Sequence, residues 1–106
     1  MSDTVQASHI LLMYKGSSRS TATRSIDEAE TLINDLKGQL DGGAKFADLA
    51  QAHSDCPSGK SGGDLGKFGR GQMVKAFEET AFGMEVGAVS DVVVTDFGFH
   101  IITRTA

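Results

Sequence analysis

His9, Cys56 and His100 are the residues of this 106-residue chain whose types and settings could do chemistry. Cys56 is the only cysteine. It sits in HSDCPSGKSGGDLGKFGRGQM, residues 53–73, with the only proline and six of the thirteen glycines. A lone cysteine is most often a small buried hydrophobe, but the neighbours of Cys56 are polar. Facing an imidazole, such a thiol becomes a nucleophile. A hydrolase would also need an oxyanion hole and a third group to orient the base, and the sequence marks neither. His9 in SHILL and His100 in FGFHIITR lie among apolar neighbours. One such histidine is ordinarily a core residue with satisfied hydrogen bonds. Two on strands that pair can bond one another only in defined tautomers, so a network would fix both rings. With Cys56 they could also bind zinc, yet the close-spaced ligand pairs of zinc motifs are absent and no metal is expected. GKSGGDLG looks like a phosphate-cradling loop only superficially, with no apolar strand before it and no helix directly after.

The elements that must position these residues can be read from periodicity. Val5 to Met13 is rich in β-formers and predicts a strand. Val5, Ala7, His9, Leu11 and Met13 share one face, Ile10 and Leu12 the other, so both faces are covered and the strand is central. Tyr14 to Arg24 has no apolar period and reads as a basic loop. Ser25 with Glu28 forms a capping box. Ala29, Leu32, Ile33, Leu36 and Leu40 then recur at helical spacing, predicting a helix from about Ile26 to Leu40 that Gly42 and Gly43 end. Phe46, Leu49, Ala50 and His53 mark a second, short helix, with His53 a cap or surface residue. DLGKFG allows only a short strand. A third helix is expected from about Val74 to Phe82. Val92 to Thr95 reads as a strand, DFG as a hairpin turn, and Phe99 to Thr105 as the last strand. The order predicts an α+β domain, a small sheet surrounded by helices, with the first and last strands as neighbours at its centre.

Composition narrows the class. A chain of this length suits one domain, here 1–106. Forty percent hydrophobic residues is a globular composition. The net charge of -4 is built from interspersed signs, so neither nucleic acid nor an anionic membrane is expected as partner. No apolar run approaches the ~20 residues of a membrane span, and MSDTVQAS has neither region of a signal peptide. A soluble, cytoplasmic chain is expected. One cysteine makes no internal disulfide.

Taken together, SHILL, HSDCPSGKSGGDLGKFGRGQM, FEETAF at residues 77–82 and VVTDFGFHIITR at residues 93–104 resemble the parvulin-type peptidyl-prolyl cis/trans isomerases. Four separated motifs appear in the family's order over nearly the whole chain. The resemblance implies a β-α3-β-α-β2 fold with a four-stranded antiparallel sheet. The Cys56 stretch then holds one more short helix than periodicity shows. It implies an isomerase acting on proline-containing peptides and protein clients; no cofactor is expected, and a monomer is expected. It also implies site roles. Leu65, Met73 and Phe77, which alone read as ordinary core, would form the proline pocket. His9, Cys56 and His100 would line the floor below the rotating carbonyl. Asp55 and Thr95 would orient that network, Ser54 would extend it, and the glycines would let backbone pass close to substrate.

Part of the family carries aspartate where Cys56 falls, so no obligatory thiol nucleophile is implied. Phosphorylation-directed members place a basic cluster after the first strand, where this loop carries Lys15, Arg19 and Arg24. That cluster, with Lys60, points to phosphoserine, phosphothreonine or glutamate before proline. Against it, Met13 stands where those members have a lysine, and three charges in a loop can be merely solvated. The rival readings are a non-catalytic proline-binding or chaperone module and, third, a cysteine hydrolase.

Overall fold

The whole molecule is laid on one strand. In the computed structural model, which describes residues 4–17, 20 and 22–106, β1 spans Thr4–Leu12. It is followed by α1 (Ile26–Asp41), α2 (Phe46–His53), a 3₁₀ turn (Pro57–Ser61), β2 (Asp64–Gly69), α3 (Lys75–Gly83), β3 (Val93–Thr95) and β4 (Gly98–Arg104). The strands form one antiparallel sheet in the order β2-β1-β4-β3. The first and last strands are therefore the central pair, as their apolar character on both faces requires.

The two faces of β1 serve two cores. Ile10 and Leu12 join Phe99 and Ile101 of β4 against Ala29, Ile33 and Leu36 of α1 and Leu49 and Ala50 of α2. Val5 and Ala7 join Ile102, Phe68, Phe77 and Ala81 on the side covered by α3. Strand alternation thus sends His9 and His100 to the α3 side.

The caps follow from local chemistry. The Ser25 side chain accepts from the Glu28 N–H and the Glu28 carboxylate accepts from the Ser25 N–H, which starts α1 at Ile26. Val74, expected inside the third helix, is instead its extended N-cap. Met13 and Val92 fall just outside their strands, and β4 starts one residue early, at Gly98. The 3₁₀ segment had no periodic signal because its five residues make fewer than two turns. Pro57 opens it, its ring fixing φ where no N–H partner is needed.

Close approach demands glycine most sharply at two positions. A Cβ on Gly63, at φ +86°, would sit 2.3 Å from the His9 carbonyl oxygen. One on Gly98 would sit 2.2 Å from the Leu12 carbonyl oxygen. Both press backbone onto β1. The glycines were expected to let backbone pass close to substrate; at Gly63 the close approach that the structure shows is to the protein's own strand.

Candidate active site

Register brings the histidines together. His9 faces Ile102 and Leu11 faces His100 across β1 and β4, so the two imidazoles are diagonal neighbours on one face. Their Nδ1 atoms lie 3.2 Å apart, with ring centroids at 5.4 Å and planes 27° apart. His100 Nε2 lies 2.7 Å from Thr95 Oγ1, and Thr95 Oγ1 also accepts the Phe97 N–H. Phe77 meets both rings edge-on, at 5.4 Å from His9 and 5.6 Å from His100. The chain of contacts ends at His9 Nε2, which is buried and has no partner among the described residues.

Burial pushes the His9 pKa down to about 4. Burial, and then the neighbouring His9, pushes His100 down to about 3. Both rings are neutral near pH 7 and carry one N–H each. Two proton arrangements satisfy the contacts. If His100 Nε2–H donates to Thr95, then His9 Nδ1–H donates to His100 and His9 Nε2 is a bare acceptor. If the Thr95 hydroxyl donates instead, every bond reverses and His9 Nε2 becomes a donor. Thr95 thereby sets the character of a nitrogen on the far ring.

Both histidines line a groove of about 410 Å³. Leu65, Met73 and Phe77 line it too, with Cys56 and Pro57. The rest of the lining is Leu11, Met13, Gln72, Val74 and Phe97, of which only Met13 had been weighed for the site, as the position where phosphorylation-directed members have a lysine. Phe97 had a signal: an aromatic at the tip of a two-residue turn, Asp96–Phe97, has no core to join. Gln72 and Pro57 had none, since only the folded loop turns them inward.

Cys56 is half-buried with a free thiol. Its Sγ accepts from Ser58 Oγ at 3.2 Å, and no hydrogen bond joins it to either imidazole. The cysteine–histidine pair that nucleophilic activation needs is not formed.

Neither Ser54 nor Asp55 is hydrogen-bonded to His9 or His100, which corrects the orienting role expected of Asp55; Ser54 reaches the expected group only at Cys56, whose N–H donates to Ser54 Oγ at 3.4 Å. They extend the edge of β1 where β2 ends. The Leu11 N–H donates to Ser54 Oγ, the Asp55 N–H donates to the Leu11 carbonyl at 2.7 Å, and the Met13 N–H donates to Asp55 Oδ2 at 2.9 Å. An unpaired strand edge needs such partners, and these two residues supply them.

The cations are dispersed. Arg24 Nη1 donates to the Met13 carbonyl at 2.9 Å and is ion-paired with Asp55 Oδ2. It is therefore no free cation. Lys15 is exposed, its N–H bonded to the Arg24 carbonyl. Lys60 is exposed beside Cys56 and Pro57, in a separate crevice. Arg19 lies outside the described residues. His53 ends α2, half-exposed. Among the described residues, no three of His, Cys, Asp and Glu converge as metal ligands.

Residues 1–106 match the model of the PPIC-type PPIASE domain. The chain is 46% identical to peptidyl-prolyl cis-trans isomerase Pin1 of Digitalis lanata, over 98% of this chain and 98% of that one. Among solved structures it superposes on the solution structure of TbPIN1 with a TM-score of 0.89 at 36% identity, covering all of both chains. It matches peptidyl-prolyl isomerase ESS1 of Candida albicans with a TM-score of 0.86 at 38% identity, covering 98% of this chain and 63% of that one.

Proposed function

Because this chain belongs to the PPIC-type, or parvulin, family and is a peptidyl-prolyl cis/trans isomerase, we propose that it turns the Xaa–Pro bond without covalent chemistry in the groove described above. The carrying observation is that groove: apolar, lined by Leu65, Met73 and Phe77, and flanked by two neutral, buried histidines. Rotation about the bond faces a barrier of ~18–20 kcal/mol, because the amide must lose its resonance. Uncatalysed, it takes tens to hundreds of seconds. No bond needs to break. The planar amide is charge-separated and strongly solvated by water; the twisted amide is less so. A water-poor groove withdraws that solvation and brings the two closer in energy. Leu65, Met73 and Phe77 hold the proline ring. The face of His9, Cys56 and His100 receives the carbonyl of the preceding residue as it swings.

The role of Cys56 in this reading is polar, not nucleophilic. Its sulfur carries a hydrogen bond from Ser58 rather than an activating imidazole. Thr95 positions His100, and through it His9. The groove is complete within one chain, which supports a monomer. A reducing, cytoplasmic setting suits a free thiol beside the substrate. Clients are proline-containing peptides and proteins.

The substrate preference rests on the loop after β1. We assign the residue before proline to the side where Met13 borders both the groove and Arg24. An acidic or phosphorylated side chain is favoured there. Exchange NMR on four matched peptides, with serine, phosphoserine, glutamate or leucine before proline, tests both parts. Acceleration in all four, greatest for phosphoserine and glutamate, is expected. Equal acceleration retires the preference and keeps the isomerase groove. Line shifts without faster exchange would leave only a proline-binding module.

A further inference from the structure

A polar crevice of about 300 Å³ adjoins the groove. Met13, Thr23, Arg24 and Asp55 line it, and Met13 borders both spaces. Asp55 is also the chain neighbour of Cys56, which lines the groove. A side-chain head group on the residue before proline, seated over Met13, meets Arg24 and Asp55 together.

Arg24 spends only one of its three nitrogens inside the protein. Nη1 serves both Asp55 Oδ2 and the Met13 carbonyl, leaving Nε–H and the Nη2 amino group without a partner among the described residues. That pair is the fork that grips one carboxylate with two parallel bonds. Asp55 is fixed in turn by the Met13 N–H. The two side chains are each 28% exposed, so their charges are only partly screened. Together they sum to zero. A ligand's first negative charge gains the fork at close range, but every charge it carries also meets the Asp55 carboxylate. A second negative charge finds no second cation in the pair. Lys15, exposed and solvated, contributes only a screened attraction.

We propose that Asp55 is a specificity-determining residue: by holding Arg24, it tilts this subsite toward a singly charged carboxylate and against a doubly charged phosphate. This rests on placing the residue before proline at Met13, and it divides the acidic preference into its two members. Glutamate–proline bonds are then favoured over phosphoserine–proline bonds, and Asp55 is the cause.

The test is exchange NMR at mildly alkaline pH, where phosphoserine is doubly charged, on phosphoserine–, glutamate– and leucine–proline peptides. The enzymes are wild type, Asp55→Asn and Arg24→Gln. Asparagine keeps an oxygen for the Met13 N–H while deleting the charge. Asp55→Asn should raise the phosphoserine-to-glutamate rate ratio about tenfold, the size of one removed charge–charge contact near the high-dielectric limit that suits a solvent-reached pair. Arg24→Gln should bring both acidic peptides down toward leucine. An unchanged ratio in Asp55→Asn overturns the inference, whatever wild type prefers. Wild type without acidic preference, beside an Asp55→Asn enzyme that favours phosphoserine, removes the preference proposed above but upholds this role. Should Asp55→Asn lose its dispersed amide spectrum, Arg24→Gln decides, because unchanged acidic-to-leucine ratios in it overturn the inference equally.

Discussion

The Nδ1 atoms of His9 and His100 stand 3.2 Å apart although 91 residues separate them in the chain. The contact is a consequence of antiparallel register: with His9 opposite Ile102, His100 is the diagonal neighbour on the same face. Two titratable rings packed this closely in an apolar site stay neutral together, and that has an energetic signature. Their folded pKa values, about 4 and about 3, lie below the unfolded 6.5. The unfolded chain therefore binds more protons between those limits. The stability contributed is complete above pH 6.5 and is lost as pH falls toward the folded values. Going from pH 7.5 to pH 5, urea unfolding should show a loss of roughly 2 kcal/mol per histidine. A flat profile over that interval would mean that the rings are solvated.

Thr95 is the one hydroxyl on the pair. Thr95→Val keeps the shape and removes the group bonded to His100 Nε2. A buried ring nitrogen is left unpartnered, at a cost of about 1–3 kcal/mol. Exchange catalysis should fall as well, while Thr95→Ser, which restores the hydroxyl, recovers both. Catalysis lost in both variants alike would assign Thr95 a packing role.

Cys56 separates rotation from covalent chemistry. Cys56→Ser and Cys56→Asp should each retain measurable acceleration of Xaa–Pro exchange, because no bond to sulfur is made. Loss in both would restore a role specific to sulfur. A substrate-like ester should not turn over on the wild-type enzyme, and mass spectrometry of the protein should find no acyl adduct.

Gly63 is where the Cys56 loop locks onto β1. Its N–H reaches the Ser58 carbonyl, and its own carbonyl accepts the His9 N–H at 2.9 Å. In Gly63→Ala the new Cβ collides with the His9 carbonyl oxygen, and φ is positive besides. Thermal unfolding should reveal a loss of about 3 kcal/mol or more, a strained backbone added to a steric clash. Gly66→Ala, also at positive φ but in open space, should cost only ~1–2 kcal/mol.

Phe97 is the aromatic wall that sequence reasoning did not place. It is half-exposed at a turn and belongs to neither core cluster. Phe97→Ala should therefore leave the unfolding midpoint nearly unchanged and weaken peptide binding about tenfold, as loss of a buried aromatic contact does. A large fall in stability with unchanged binding would place Phe97 in the core instead.

Much of this protein was legible in its residues one neighbourhood at a time. The capping box at Ser25 and Glu28, the helical stripe of α1 and the two-faced apolar pattern of β1 each arise from contacts within a few positions, so local chemistry suffices to read them. The alternation of β1 even put His9 on a readable face, shared with Val5 and Ala7. The motif around Cys56 and the FEETAF motif, read as a family resemblance, named the groove residues Leu65, Met73 and Phe77. What the sequence could not show is where side chains go when two distant segments meet. Ser54 and Asp55 carry the same polar atoms whether they face an imidazole or a strand edge. Only the docking of their turn beside Leu11 and Met13 sent them to the edge. Arg24 looked like a free cation until the fold set it against Asp55, 31 residues away. The 3₁₀ turn at Pro57 was too short to have a period. Local spacing determines which elements form and which face each residue takes, because those depend on backbone geometry alone. Partners for polar and charged groups are decided by tertiary packing, because a hydrogen bond or ion pair depends on distances that no spacing in the chain encodes.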